Sequence, residues 1–349
     1  MAKVTPKENF LKLRHGGFPD YVPFYSIMGT PYKGEASVVG AMDPFWTRPR
    51  GTMVPGQPYK DLWGVPYKAP ENLASAMPDT TVTILENIHD WSKVIKFPEP
   101  NQNVDLEQTY KEAMKYIDRT QSCLKIGPNL QPFQELVALM GFEGGLVALY
   151  EDTEEVKAML NAMVDHLEPY YTKFFEVYKP DFWGMTDDTC AKLAPFFSPD
   201  IYEDVFLPIY KRLSKPAQDN DVPVLFHNCG KEDAFLDFMV DFGVEVTEPS
   251  QEVNDILALK EEYKGKMTFA GCWGWIDHIP KNYPDFDEEE LRADIRATID
   301  KYAPGGGFAF AGFPVGVKGD TAIDRVWEIM RNEVYYYGKK VYGYTGDID

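Results

Sequence analysis

Polar and sulfur-containing residues follow the apolar runs of this sequence at the points where the runs end. They are Asp187, Asp188, His227, Cys229, Glu248 and Cys272. If the runs are parallel strands, their carboxyl ends open on one face, and residues distant in sequence converge there. An imidazole, thiols and carboxylates gathered on one face can hold a metal ion.

The ligand types indicate zinc. Thiolate and imidazole suit Zn²⁺ better than Mg²⁺ or Ca²⁺. We predict a site held by His227, Cys229 and Cys272, with a fourth position left open as in catalytic zinc sites. His227 and Cys229 can reach one ion only if the backbone leaves the strand between them, and Asn228 and Gly230 favour such a bend. A cysteine at a strand end is also commonly a small buried hydrophobe, which is the alternative for Cys272.

The adjacent acids Asp187 and Asp188 are the predicted catalytic residues. One of them can be a general acid or a metal ligand. The other then faces a helix N-terminus or the wall of the barrel that the strands are predicted below to form. The alternative is that both simply cap the following segment.

The first 104 residues are rich in proline, glycine and aromatic residues. Such a segment is too aromatic to be disordered, and we predict a folded cap of loops and first strands. Many rings near a barrel mouth could line an apolar pocket for a flat ligand, although ordinary packing explains most of them. The predicted substrate contacts are Tyr25, Trp46, Trp63 and Glu248.

From residue 105 to residue 349, amphipathic helices alternate with short apolar runs, which predicts βαβ units and a parallel sheet. Six strands are predicted from Ser122 onward, in the runs SCLKIGPN, DFWGMTDD, VPVLFHNCG, VEVTEPS, MTFAGCWGW and GFAFAGFPVG. YVPFYSI is a further strand, and one more lies in the aromatic region. Eight strands predict an α/β fold, a (β/α)8 TIM barrel formed by residues 1–349 as one domain. A doubly wound sheet is the alternative, but no glycine-rich dinucleotide loop follows the first strand.

The formal net charge of −20 argues against nucleic acid or an anionic membrane as a partner. The cysteines Cys123, Cys190, Cys229 and Cys272 form no CxxC pair. We expect a cytoplasmic protein, since neither a signal peptide nor a run long enough to span a membrane is apparent.

Several runs together resemble the uroporphyrinogen decarboxylase superfamily, and the resemblance covers most of the chain. They are DLWGV at 61–65, DWSKVIKFPEP at 90–100, GPN with PFQELVALMGFEG, GMTDD at 184–188, SPDIYEDVFLPIYKRL, VLFHNCG and YAPGGGFAF at 302–310. The decarboxylases carry an N-terminal run whose arginines grip propionates. Only Arg14 remains of those arginines here, in RHGGFPDYVPFY.

The HNCG run is similar to the methyltransferase branch of the superfamily, which uses a His-x-Cys…Cys zinc site. His227 and Cys229 match its first two positions. The segment that holds the last cysteine in coenzyme M methyltransferases reads AGFPVG here, and Cys272 lies on the preceding strand. This departure makes the chain more similar to corrinoid-dependent O-demethylases, whose zinc ligands vary.

The resemblance implies a zinc-dependent methyltransferase that moves a methyl group from an aromatic methyl ether to the cob(I)alamin of a separate corrinoid protein. The cobalamin belongs to that partner, because this chain has no Asp-x-His-x-x-Gly signature. One alternative is a metal-free decarboxylase or lyase on the same barrel. Others are a methyltransferase acting on a methylated amine, methanol or a thiol, and a barrel that only binds a ligand.

Overall fold

The computed structural model describes residues 4–25, 37–41, 44, 59–68, 77–99, 103–315 and 320–346. The strands are β1 (Val38–Gly40), β2 (Tyr59–Lys60), β3 (Pro66–Lys68), β4 (Met77–Pro78), β5 (Cys123–Ile126), β6 (Phe182–Thr186), β7 (Val224–His227), β8 (Val244–Ser250), β9 (Thr268–Trp273) and β10 (Phe308–Gly312). The helices are α1 (Pro6–Leu11), α2 (Trp91–Val94), α3 (Leu106–Ala113), α4 (Pro132–Met140), α5 (Phe142–Glu151), α6 (Thr153–Tyr178), α7 (Pro199–Ile201), α8 (Leu207–Gln218), α9 (Leu236–Asp241), α10 (Ile256–Glu262), α11 (Glu288–Tyr302) and α12 (Ala322–Val341).

The seven strands β1 and β5 to β10 form one parallel sheet, in the order β1-β5-β6-β7-β8-β9-β10. Residues 22–25 connect its two edges. The Tyr25 N–H donates a hydrogen bond to the Phe310 carbonyl at 2.9 Å, while the Ser37 N–H donates to the Phe24 carbonyl at 2.9 Å. Phe24 also forms a parallel bridge with Phe310. The N-terminal segment therefore occupies the eighth position, and the predicted α/β barrel fold is confirmed.

The side chains of each barrel strand alternate between two buried apolar layers. On β7, Leu225 packs in the barrel interior, whereas Val224 and Phe226 pack between the strands and the surrounding helices. Helix α1 supplies Phe10, whose ring lies 5.4 Å from the ring of Phe182 inside the barrel. Because α1 fills the amino end of the interior, a ligand reaches the interior from the carboxyl ends of the strands.

The described part of the predicted N-terminal cap contains an antiparallel sheet in the order β2-β3-β4. Trp63 follows β2, is 4% exposed, and packs edge-on against Phe97 with ring centroids 6.2 Å apart. Phe45 and the predicted substrate contact Trp46 lie outside the described residues.

The apolar run PFQELVALMGFEGGLVALYED forms two helices, α4 and α5. Gly141, at a φ of 77°, separates the two helices and reverses the chain direction. Within the described residues, no single helix is long and apolar enough to cross a membrane, and α4 and α5 meet that test only as a pair bent by 112°.

Candidate metal centre

The carboxyl end of β7 turns sharply out of the strand, as the spacing of His227 and Cys229 requires. Asn228 donates its N–H to the Glu248 carbonyl at 2.9 Å, and its side-chain oxygen accepts from the Thr189 N–H at 2.9 Å. Gly230 has a φ of 101°, and a Cβ there would lie 2.6 Å from the Ala191 carbonyl oxygen. Only glycine fits this turn, which lets Cys229 approach the imidazole of His227.

Asp188 lies beside this turn. It is the second residue after β6, and its Oδ1 accepts the Cys229 N–H at 2.9 Å. This hydrogen bond joins the end of β6 to the end of β7.

Asp188, His227 and Cys229 form a group of potential metal ligands whose donor atoms all lie within 4.8 Å of one another. His227 Nε2 lies 3.5 Å from Cys229 Sγ and 3.7 Å from Asp188 Oδ1. In a tetrahedral zinc site with bonds of about 2.0–2.3 Å, neighbouring ligand atoms are separated by roughly 3.5 Å. The donor types and their separations therefore fit one zinc ion with three protein ligands.

The charges of the group are coupled. Burial alone would lower the pKa of His227, but hydrogen bonding and charge from Cys229 and Glu248 raise that pKa well above its usual value. Burial raises the pKa of the Cys229 thiol, and His227 opposes that rise. The arrangement favours a positive charge near His227 Nε2.

Glu248 lies near the carboxyl end of β8, beneath the group. Its Oε1 is 3.8 Å from His227 Nδ1 and 3.2 Å from the ammonium of Lys125. Lys125 also donates to the hydroxyl of Tyr25 at 3.0 Å. Burial opposes ionisation of Glu248, yet Lys125 and His227 hold its pKa below the usual value.

The two adjacent acids face different regions, as expected for successive residues after a strand. Asp187 is fully buried and accepts the Phe133 and Gln134 N–H groups at 2.7 and 3.1 Å, together with the Tyr210 hydroxyl at 2.8 Å. Burial raises the pKa of Asp187 to about 7, against the effect of these donors. Asp187 thus caps the N-terminus of α4, and the structure brings Asp188 alone of the pair to the metal group.

The structure does not bring Cys272 into the group. Cys272 is 2% exposed, and its side chain packs in the layer between the strands and the outer helices. Its backbone φ is 63°, after Gly271 at 142°. This twist at the end of β9 directs the thiol away from the mouth, so the geometry favours Asp188 over Cys272 as the third ligand.

The predicted substrate contacts that the structure describes, Tyr25, Trp63 and Glu248, are all buried. Tyr25 and Glu248 lie within the barrel interior and are 0% and 1% exposed. Trp63 is buried and packs against Phe97. Their contact with a substrate stays a prediction.

Sequence reasoning missed Lys125. The signal was a lysine within SCLKIGPN, a run otherwise apolar enough to be a buried parallel strand. A charged residue at such a position requires a partner, and Glu248 was the available carboxylate.

The sequence model of the uroporphyrinogen decarboxylase (URO-D) family matches residues 69–326. No curated protein sequence matches the chain. Among solved structures, a methyltransferase from Methanosarcina mazei superposes with a TM-score of 0.57 at 12% identity, over 95% of this chain and 100% of that one. A sugar phosphate isomerase/epimerase from Parabacteroides distasonis ATCC 8503 gives a TM-score of only 0.36 at 10% identity, over 67% of this chain and 76% of that one. The barrel fold, the HNCG turn and the family match agree, and the chain belongs to the uroporphyrinogen decarboxylase family.

Proposed function

We propose that this chain is a zinc-dependent methyltransferase. The observation that carries the proposal is the group of Asp188, His227 and Cys229 at the carboxyl end of the barrel. Three protein ligands leave a fourth position for a substrate atom, which is typical of catalytic zinc. The fold shared with the Methanosarcina mazei methyltransferase supports the same reaction class.

Each residue of the group has a defined task in this proposal. Cys229 and His227 supply the thiolate and imidazole ligands, while Asp188 supplies an oxygen and fixes the Cys229 backbone through its 2.9 Å hydrogen bond. A bound zinc ion would supply Lewis-acid polarisation of a donor oxygen. The side chain of Asp188 is 41% exposed, so the group is open to the barrel mouth.

The methyl donor in this proposal is an aromatic methyl ether, and the acceptor is cob(I)alamin on a separate corrinoid protein. Cobalt supplies the electron pair of the new cobalt–carbon bond. The methyl–oxygen bond breaks, its electron pair stays on the phenolate, and the phenolate then gains a proton from solvent. The aromatic-rich N-terminal segment supports a flat donor, because rings provide a large apolar contact area.

Porphyrin decarboxylation has weaker support. Arg14, the remaining candidate for gripping propionates, forms a bidentate ion pair with Glu245 at 2.8 and 2.9 Å. Glu245 lies near the beginning of β8, whereas the metal group lies at the ends of the strands. Arg14 is therefore engaged at the opposite end of the barrel.

Methyl transfer can be tested on the full chain loaded with zinc, with chemically reduced free cob(I)alamin as the acceptor. We expect methylcobalamin to form from a guaiacol-type ether faster than from trimethylamine, because an ether oxygen offers zinc a lone pair and a quaternary or protonated amine does not. Treatment with a chelator should abolish the reaction, and added zinc should restore it.

Faster transfer from the amine would reject the ether as donor while keeping the methyltransferase. If the chain neither retains added zinc nor forms methylcobalamin from any donor, the proposed function is rejected.

A further inference from the structure

We propose that Lys125 is a positioning residue for the metal group, which acts on His227 through Glu248. The inference rests on the metal site of the proposed function and assigns a role to a residue that lies outside the ligand set. Its basis is a continuous polar path through the barrel interior from β5 to the end of β7.

Lys125 is anchored in the middle of the barrel. Its side chain is 18% exposed, and its ammonium donates to Glu248 Oε1 at 3.2 Å and to the Tyr25 hydroxyl at 3.0 Å. A lysine carries a long and flexible stem, so two bonds to buried groups are needed to hold its charge in one place. Tyr25 comes from the segment that closes the barrel, which makes the anchor rigid.

The neighbouring strand leaves space for this side chain. Lys125 extends from β5 across Gly184 on β6 toward β8, and a Cβ at Gly184 would lie only 2.7 Å from Lys125 Cγ and 2.9 Å from its Cδ. Any larger residue at position 184 would displace the lysine stem. The close approach indicates that this path is built into the barrel wall.

The path continues from Glu248 to the imidazole. Glu248 and His227 are register partners in the β7–β8 pair, and Glu248 Oε1 faces His227 Nδ1 at 3.8 Å. Nδ1 is the ring nitrogen opposite the proposed ligand atom Nε2, which lies 3.5 Å from Cys229 Sγ. A carboxylate that faces the second ring nitrogen is placed to accept its N–H, and such a partner sets the orientation and tautomer of a metal-binding imidazole.

The ammonium of Lys125 also balances the charge of the metal group and Glu248. Zinc, one thiolate, the carboxylates of Asp188 and Glu248, and the ammonium of Lys125 together are electrically neutral. Glu248 is 1% exposed, and a buried carboxylate without a cationic partner is strongly disfavoured. Without Lys125, Glu248 would lose the contact that aims Oε1 at the imidazole.

The test measures Co²⁺ binding to the metal-free full chain by the cobalt absorption spectrum, which reports ligand type and geometry. We expect Lys125→Met and Glu248→Gln each to weaken Co²⁺ binding by about 10–100-fold, the usual effect of losing an outer partner of a ligand. If Lys125 acts through Glu248, the double variant should bind no more weakly than the weaker-binding single variant. Lys125→Arg should recover part of the affinity.

Lys260→Met is the matched control, because Lys260 is also buried but bonds the backbone carbonyls of Tyr302 and Pro304 outside the barrel. It should bind Co²⁺ as the unaltered chain does. If Lys125→Met fails to fold, Tyr25→Phe provides the test in its place. This variant keeps the ring and removes one anchor of the ammonium, so we expect a smaller loss of Co²⁺ affinity. Unchanged affinity in the Lys125 and Tyr25 variants, or effects of Lys125→Met and Glu248→Gln that multiply in the double variant, would overturn the inference. An unaltered chain that binds no Co²⁺ would instead reject the proposed metal site itself.

Discussion

The carboxyl ends of β7 and β9 each carry a cysteine, but the two thiols lie in different environments. At the end of β7, Cys229 lies 3.5 Å from His227 Nε2 and next to Asp188 at the barrel mouth. At the end of β9, Cys272 is 2% exposed in the outer apolar layer. Whether a cysteine at a strand end can bind a metal therefore depends on the local backbone conformation as much as on the residue type.

The surroundings of the two ends differ in the same way. Beyond β9, His278 stacks on Trp273 at 5.3 Å and is held between Asp294 and Glu252, each at 2.7 Å. Both ring nitrogens of His278 are therefore hydrogen-bonded within the protein, and these bonds hold the loop after β9 in place. The end of β7, in contrast, places three potential ligands together at an open mouth. We therefore propose that the end of β7 is functional and that the end of β9 is structural.

The largest expected difference is in metal content. Cys229→Ala should reduce bound zinc from about one per chain to almost none, because three ligands are the minimum for a catalytic site. Cys272→Ala should retain the zinc and lose only ~1 kcal/mol of stability through the small cavity it leaves. Elemental analysis of the two purified variants measures this. Zinc loss in Cys272→Ala alone would reverse the assignment.

A second difference separates the adjacent acids. Asp188→Asn should lower zinc affinity and methyl transfer while leaving stability nearly unchanged, because Asp188 is partly exposed at the mouth. Asp187→Asn should keep zinc but lose about 1–3 kcal/mol, since buried donors of α4 and Tyr210 would lack full acceptors. Denaturant unfolding and zinc titration of both variants test this. Loss of zinc in Asp187→Asn with normal stability would contradict it.

The smallest expected effect is on the pH dependence of stability, through His278 in the loop after β9. Burial lowers the pKa of His278, but Asp294 and Glu252 outweigh burial and raise it to about 9. Because the folded pKa lies above the unfolded value, this stabilisation is complete below about pH 6.5 and is lost as the pH rises through about 9. The matching stabilisation from Glu252, whose pKa is lowered from 4.5 to about 2 mainly by His278, is complete above about pH 4.5 and is lost as the pH falls to about 2.

His278→Gln should therefore remove about 1 kcal/mol at neutral pH, a modest value because the cluster is partly exposed, and should flatten the dependence of Tm on pH between about 6.5 and 9. Zinc content should not change. A variant that keeps the full alkaline loss of Tm would show that another group titrates in this range.

The barrel and the close approach of His227 to Cys229 could be predicted because both follow from local rules. Alternating strands and helices predict the parallel sheet, and the opposite facing of successive strand residues explains why Asp187 and Asp188 separate. The direction of Cys272 could not be predicted, since it depends on positive φ values at Gly271 and Cys272. The ion pair of Lys125 with Glu248 could not be predicted either, because Glu248 lies three strands away in the barrel.

The closure of the barrel by residues 22–25 has a consequence for how the chain folds. The segment that pairs with β10 lies far from it in the sequence, because Phe24 near one end of the barrel segment bridges Phe310 on the last strand. Until β10 has formed, the backbone groups of that segment have no strand to pair with on that side. Contacts of such long sequence separation form slowly. The closure of the barrel, and with it the alignment of Tyr25 beneath the metal group, is therefore expected late in folding, after the sequential strand pairs have formed.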